Sequence, residues 1–550
     1  MDRSPQVLGR NPLSRRSLLA GTAGALAAAG LGSCSTGGRT GEGGVQGAGL
    51  ELPTYRALKA VTTDMPGDAA GVPDCFLTYP RPPVVLNKEK PGRGGTITAM
   101  LNQEVKAPAP MDRNSWWQGL NERLGTTLAM QIVPGSDYLA KLTTAVAGGD
   151  LPDVIRFPID FPRLPDVLEA TCEDLTEYFS GDAVLEHPAL ANLSTTSWRS
   201  MVQNGRIGGM PAQNIVGTGT WIVRGEVTSK LGISLTPGNA DDVLAMAKEV
   251  TDRKSGQFAF GVPAQVLSAL GCAMWNSPNN WGEVNGSFVK NEETDEFAAA
   301  LEWAAKVWQS GVMHPDSFAT INSPGLYQAG KIIFFNWGGI GWGQMLNKDF
   351  PDLDMQFMLT PSHAGGGPGA QRLGPGITGL VAIRKQNNPD RVREIIDVIN
   401  YLASPMGSAE ELYLRWGEEG KQHTWDDKLQ TPVLTDTGIA EIARETAYIG
   451  CNPYIAFNPG YGEVTKKFYE LEKIIIPAGR ADASLGLYSS TSSTQGATLA
   501  RTLTDGVNRI MQGQRPMSDL TKVLDEYRKN GGDQIRREFE EAFAKAKSGG

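Results

Sequence analysis

Histidine and cysteine are scarce in this chain, four and five among 550 residues. His187, His314, His363 and His423 are scattered, and the cysteines form no C-x-x-C, so the close ligand spacing of a zinc site is missing. No G-x-x-x-x-G-K-[ST], H-E-x-x-H or G-x-S-x-G occurs, and Asp352-Leu353-Asp354 lacks the glycine of a calcium loop. No metal and no cofactor is therefore expected. Blocks of basic residues are also absent, and a net charge of −9 makes nucleic acid or an anionic lipid surface a poor partner. Gly374-Pro375-Gly376-Ile377-Thr378-Gly379 matches G-x-G-x-x-G. A Gly/Pro loop precedes it and the β-like Leu380–Ile383 follows, the wrong context for a dinucleotide site, so it reads as a crossover between lobes.

Long apolar runs are missing as well. The one candidate follows Ser14-Arg15-Arg16-Ser17-Leu18-Leu19 and is too short and too rich in Ala and Gly for a membrane span. Two arginines before a mild apolar stretch read as a twin-arginine export signal. Leu31-Gly32-Ser33-Cys34 then reads as a lipobox, with Cys34 lipidated and first in the mature chain. Residues 1–33 are thus expected to be removed, and the rest to sit on the extracellular face of the cytoplasmic membrane. Their removal takes away four arginines and one aspartate and moves the net charge from −9 to −12. Cys75, Cys172, Cys272 and Cys451 remain, which allows two disulfides in three connectivities, or four free thiols.

Residues 34–93 read as a Gly-rich tether followed by an extended arm. From Gly94 the pattern turns globular: strand at Thr96–Leu101, helix over 114–124, strand at Thr127–Val133, helix from Tyr138 to Val146, strand at Asp153–Phe157. That alternation predicts an α/β sheet with crossovers. Further on, Trp221–Val223 and Lys331–Trp337 read as strands. Ala240–Thr251, the face Phe297/Leu301/Ala305/Trp308, Pro389–Ala403 and a charged pair over 518–547 read as helices.

Tryptophan stands out: all 12 lie beyond the signal, several among Asn and Gly in loop-like contexts. Trp275-Asn276, Asn279-Asn280-Trp281, Asn336-Trp337-Gly338-Gly339 and Gly341-Trp342-Gly343 are of this kind. A sugar offers apolar C–H faces to an aromatic plane and hydroxyls to planar amides, so such sites suit carbohydrate. Trp303 and Trp308, on a helical face, are assigned to core.

Five segments in order resemble one family, the extracellular solute-binding proteins of ABC importers, in particular its sugar-binding group. They are Ala147–Ile155 (A-G-G-D-L-P-D-V-I), Ile207–Pro211, Trp221–Ile233, Gly330–Trp337 and Leu414–Lys421. The last is similar to the large lipoproteins that bind aldouronate and alginate oligosaccharides. The resemblance implies a two-lobed periplasmic-binding-protein fold of type II, α/β, with hinge crossovers and a ligand cleft. It divides the chain into an N-terminal lobe, 94–212 plus 379–455, and a C-terminal lobe, 213–378 plus 456–550.

On that reading the chain is no enzyme but a substrate-binding lipoprotein. It would capture an oligosaccharide, deliver it to permease subunits and act as a monomer. Strand-end loops should line the cleft, which nominates Asn102, Gln103, Phe157, Gln213, Asn214, Trp275, Trp281, Asn336, Trp337, Trp342 and Arg372. Related sugar binders stack ligand on aromatics at the positions matched by Phe157 and Trp337, and Arg372 would pair a uronate carboxylate. Two competing readings are a binding protein for a non-sugar ligand such as a peptide and an exported polysaccharide-active enzyme.

Overall fold

Val154-Ile155-Arg156-Phe157 is buried at every position, and a strand with no exposed face belongs inside a sheet covered on both sides. In the computed structural model, which describes residues 50–58, 61–103, 106–319, 322–336 and 353–548, it is the middle of five strands. Their order is Thr127–Pro134, Thr96–Gln103, Val154–Phe157, Ile377–Ile383, Met210–Gln213. The first three run parallel, joined by helices Ser115–Leu124 and Gly135–Gly148, and Ile377–Ile383 is antiparallel to both neighbours. Local chemistry sets the helix ends. The Asn114 side chain accepts from the Trp117 N–H at 2.9 Å, and Gly125 (φ 69°) and Gly149 (φ 71°) close the two helices in the left-handed region.

A second sheet has Trp221–Arg224 at its centre, with Phe334–Asn336 and Met355–Met358 antiparallel on either side. Helices Asp295–Gln309, Ser490–Met511, Leu520–Tyr527 and Asp533–Ser548 bury their apolar faces in the core of this half. The strand expected over Lys331–Trp337 is shorter because Ile332 and Ile333 turn to pair with Phe258. Each sheet has its own hydrophobic core, one drawn from Leu50 and residues 97–212 and 377–451, the other from 221–358 and 499–543. A smaller cluster that includes Val72, Ile215, Val216, Ala456 and Phe468 lies where the chain passes between them.

Residues 61–93 run without a helix, with one short strand. Asp74–Phe76 pairs in parallel with Ile455–Phe457, and the Tyr79 hydroxyl donates to Glu411 Oε2 at 2.6 Å. Cys75, Cys172, Cys272 and Cys451 are all free and buried. Among the described residues no helix is long and apolar enough to cross a membrane.

Candidate functional site

The register brings one edge of each sheet into play. In the first, Gln103, Phe157 and Gln213 end their strands where Ile377 begins its own. In the second, Trp221, Asn336 and Met358 stand side by side. Residues 214–220 and 359–376 link these edges, and open α/β sheets bind ligands beyond such strand ends.

A cavity of about 370 Å³ lies between the two cores, within the usual span of ligand sites, roughly 300–1,000 Å³. One wall is the turn Ile159–Pro165 with Ser200, Gln203 and Ile377; the other is Ser484–Ala497 with Phe539. Phe161, Tyr488 and Phe539 and the hydroxyl-bearing Ser200, Ser484, Ser489, Ser492, Ser493 and Thr494 line it. Among the described lining residues Asp160 alone carries a charge.

The hydroxyl wall is held firmly. Ser489 caps the helix by accepting from the Ser492 N–H at 2.9 Å, and Glu538 accepts from the Thr491 N–H and hydroxyl at 2.9 and 2.8 Å. Burial raises the Glu538 pKa, but its bonds to Ser489, Gln534 and Thr491 outweigh that and hold it below the ordinary value. The walls touch where the Arg163 N–H donates to Ser493 Oγ at 2.8 Å, with the Arg163 side chain paired to Asp166.

None of the described residues nominated from sequence is among the residues lining this cavity. Phe157 is fully buried, edge-on to Phe161 at 5.3 Å, and Trp281 is buried edge-on to Phe539 at 5.5 Å. Both stand one layer behind a wall and offer no open face in this conformation. Asn102 accepts from Arg156 Nη1 at 2.9 Å, and Asn336 donates to the Thr220 carbonyl at 3.0 Å. Gln213 is engaged by Ser194, Ser197 and the Tyr454 N–H, and with Asn214 it borders a small cavity under Tyr55 and Pro73 instead. Trp275 stacks on His363 at 5.1 Å, and Arg372 donates to the Pro278 carbonyl at 3.3 Å. Gln103 ends its strand, while Trp337, Trp342 and Cys34 lie outside the described residues.

Sequence reasoning missed Phe161, Tyr488 and the serines beyond it. The available signal was the run Tyr488-Ser489-Ser490-Thr491-Ser492-Ser493-Thr494, a hydroxyl-rich stretch directly after an aromatic.

Residues 107–409 match the family described as bacterial extracellular solute-binding protein, and the chain belongs to that family. It is a family of binding proteins, not of enzymes. The chain is 23% identical over 455 residues to the polygalacturonan/rhamnogalacturonan-binding protein YtcQ of Bacillus subtilis, a match covering 77% of this chain and 86% of that one. It is 19% identical over 480 residues to lipoprotein LipO of the same organism, covering 82% and 94%. The fold matches that of an HMO-binding, ABC-transporter-associated solute-binding protein of Bifidobacterium longum infantis, with a TM-score of 0.60 at 14% identity, over 82% of this chain and 99% of that one. The architecture is thus the type II periplasmic-binding-protein fold.

Proposed function

We propose that this protein captures an oligosaccharide outside the cytoplasmic membrane and hands it to the permease of an ABC importer. The cavity carries the proposal: aromatic rings beside a bank of serine and threonine hydroxyls, between two separately built cores. Rings stack on the apolar faces of a sugar, and hydroxyls meet its hydroxyls. The names of YtcQ and of the Bifidobacterium protein support a sugar ligand. A lining with one carboxylate and no cation among its described residues fits an uncharged sugar better than a uronate. Arg372 is engaged with a carbonyl.

In this reading residues 94–212 with 379–455 and residues 213–378 with 456–550 are the two lobes. They close on the ligand, and the closed state is the one the permease accepts. Trp337 and Trp342 supply further stacking faces. The protein works as a monomer and is exported by the twin-arginine route; it is tethered through a lipid on Cys34, and the likeness to lipoprotein LipO supports its being a lipoprotein.

The test is intrinsic tryptophan fluorescence and melting temperature of the chain from residue 35 onward, titrated with maltotriose, xylotriose, trigalacturonate and a tripeptide. A saturable response to a neutral trisaccharide, with no product formed, is expected. A response to the tripeptide alone refutes the carbohydrate reading, and product formation refutes binding without chemistry.

A further inference from the structure

Three stretches of chain are laced together between the two cores. The Gly374 N–H donates to the Val216 carbonyl at 2.8 Å, the Thr218 hydroxyl to the Arg372 carbonyl at 2.7 Å, and the Leu373 N–H to the Arg480 carbonyl at 2.9 Å. Against the first stretch lies Glu472, from helix Gly462–Ala478 and wholly buried. One of its oxygens accepts from the Thr220 hydroxyl at 2.9 Å; the other, Oε2, has no hydrogen-bond partner. The backbone comes so close that a Cβ on Gly217 would stand 1.9 Å from that oxygen. Beside it, Gln371 is buried with both amide atoms unpartnered, and a Cβ on Gly219 would stand 2.0 Å from its Oε1.

Buried polar atoms in native proteins are nearly always paired. Here three unpaired ones, Glu472 Oε2 and the two Gln371 amide atoms, flank residues 217–219. A neutral carboxyl group tolerates this place; a carboxylate with a single hydroxyl donor does not. Ionisation therefore calls for new donors at Oε2, which has none in this arrangement.

We propose that Glu472 is a positioning residue for solute capture: its protonated carboxyl group holds the 217–220 crossing in place, and loss of that proton changes the angle between the lobes. The proposal rests on the two-lobed capture reading above. The surroundings supply no compensating charge. Residues 214–220, Met355–Met358 and Ile455–Phe457 hold no titratable side chain. Asp74 and Cys75 on the Asp74–Phe76 strand, and Tyr469 and Lys473 on the same helix, exert no resolved pull on Glu472. Arg372 and Arg480 are engaged by the Pro278 carbonyl and by Asn276. Burial accordingly lifts the carboxyl to about 8, against the opposing bond from Thr220.

The experiment places spin labels on Leu139→Cys and Val284→Cys, both exposed and one on each core, in the full chain bearing Cys34→Ser. The four remaining cysteines are buried. The distance distribution is read from about pH 6 to 9.5, without ligand and with whichever trisaccharide saturates the fluorescence. The parent distance is expected to shift with a midpoint near 8. Glu472→Gln should stay at the acid-side distance throughout. Thr220→Val, which loses the hydroxyl that favours the carboxylate, should move the midpoint upward. A parent distance independent of pH, or a Gln variant that follows the parent curve, overturns the proposal. If sugar shifts the distance while pH does not, this proposal alone fails; if neither does, the two-lobed capture reading fails with it.

Discussion

Glu472→Gln should make the protein more stable, and more so as the pH rises. Burial moves the Glu472 carboxyl from its usual 4.5 to about 8. The sign follows from that direction. The pKa is raised in the folded state, so the stability tied to this group is fully present below the unfolded value and is lost as pH rises through the folded one. Between these limits the unfolded chain releases the proton and the folded chain keeps it. With one pKa unit equal to about 1.4 kcal/mol, the parent carries a penalty of ~3 kcal/mol near neutral pH that the amide does not. Urea denaturation of parent and variant at about pH 5 and about pH 7 reads it. The gap should be ~3 kcal/mol at the higher pH and ~1 kcal/mol or less at the lower. A gap that does not change with pH would falsify the reasoning, because a pure packing effect titrates with nothing.

Other perturbations test other parts. Tyr488→Ala removes a half-buried ring from the cavity wall and should weaken sugar binding on the order of tenfold with the melting temperature unchanged; unchanged affinity would take Tyr488 out of the site. Glu293, nearly fully buried, accepts from Arg528 Nε at 2.6 Å and from Arg536. Glu293→Gln strips the charge from two arginine partners and should lower stability by ~3 kcal/mol in denaturant melts. Asp153 is pushed up by burial but held below the ordinary range by Thr98, Arg384 and Gln386. Its contribution is present above the unfolded carboxylate pKa and lost as pH falls through the folded one, so Asp153→Asn should flatten the acid limb of the stability curve. Cys75, Cys172, Cys272 and Cys451, all buried and with thiols shifted upward by burial, should resist Ellman's reagent until the chain unfolds.

Much of this architecture was legible in the chain because its signals are local. The helix from Pro389 carries its own start, with Asn388 accepting from the Asp390 N–H and proline at the first position. The Val154–Phe157 strand announced its burial by having no polar alternation except Arg156. The family segments around Ala147–Ile155 and Ile207–Pro211 are contiguous and fall within residues 107–409, the stretch that matches the family. Loop tryptophans pointed toward a sugar ligand for the same reason, since their neighbours are visible one residue away.

The cavity was not legible, because its walls meet only through the fold. Phe161 and Phe539 are 378 residues apart in sequence, and Phe157 and Trp281 bear the sequence signal yet stand behind them. Which ring faces the space and which supports it depends on how the two cores approach each other, something no periodicity encodes. Glu472 makes the same point. In sequence it is one charged residue among several over 462–478, and only the fold shows it buried against Gly217 with one oxygen lacking a partner. Sequence by itself determined the locally signalled elements and the family; tertiary structure alone decided which polar and aromatic side chains meet across the crossings, because desolvation and close contact are properties of neighbours distant along the chain.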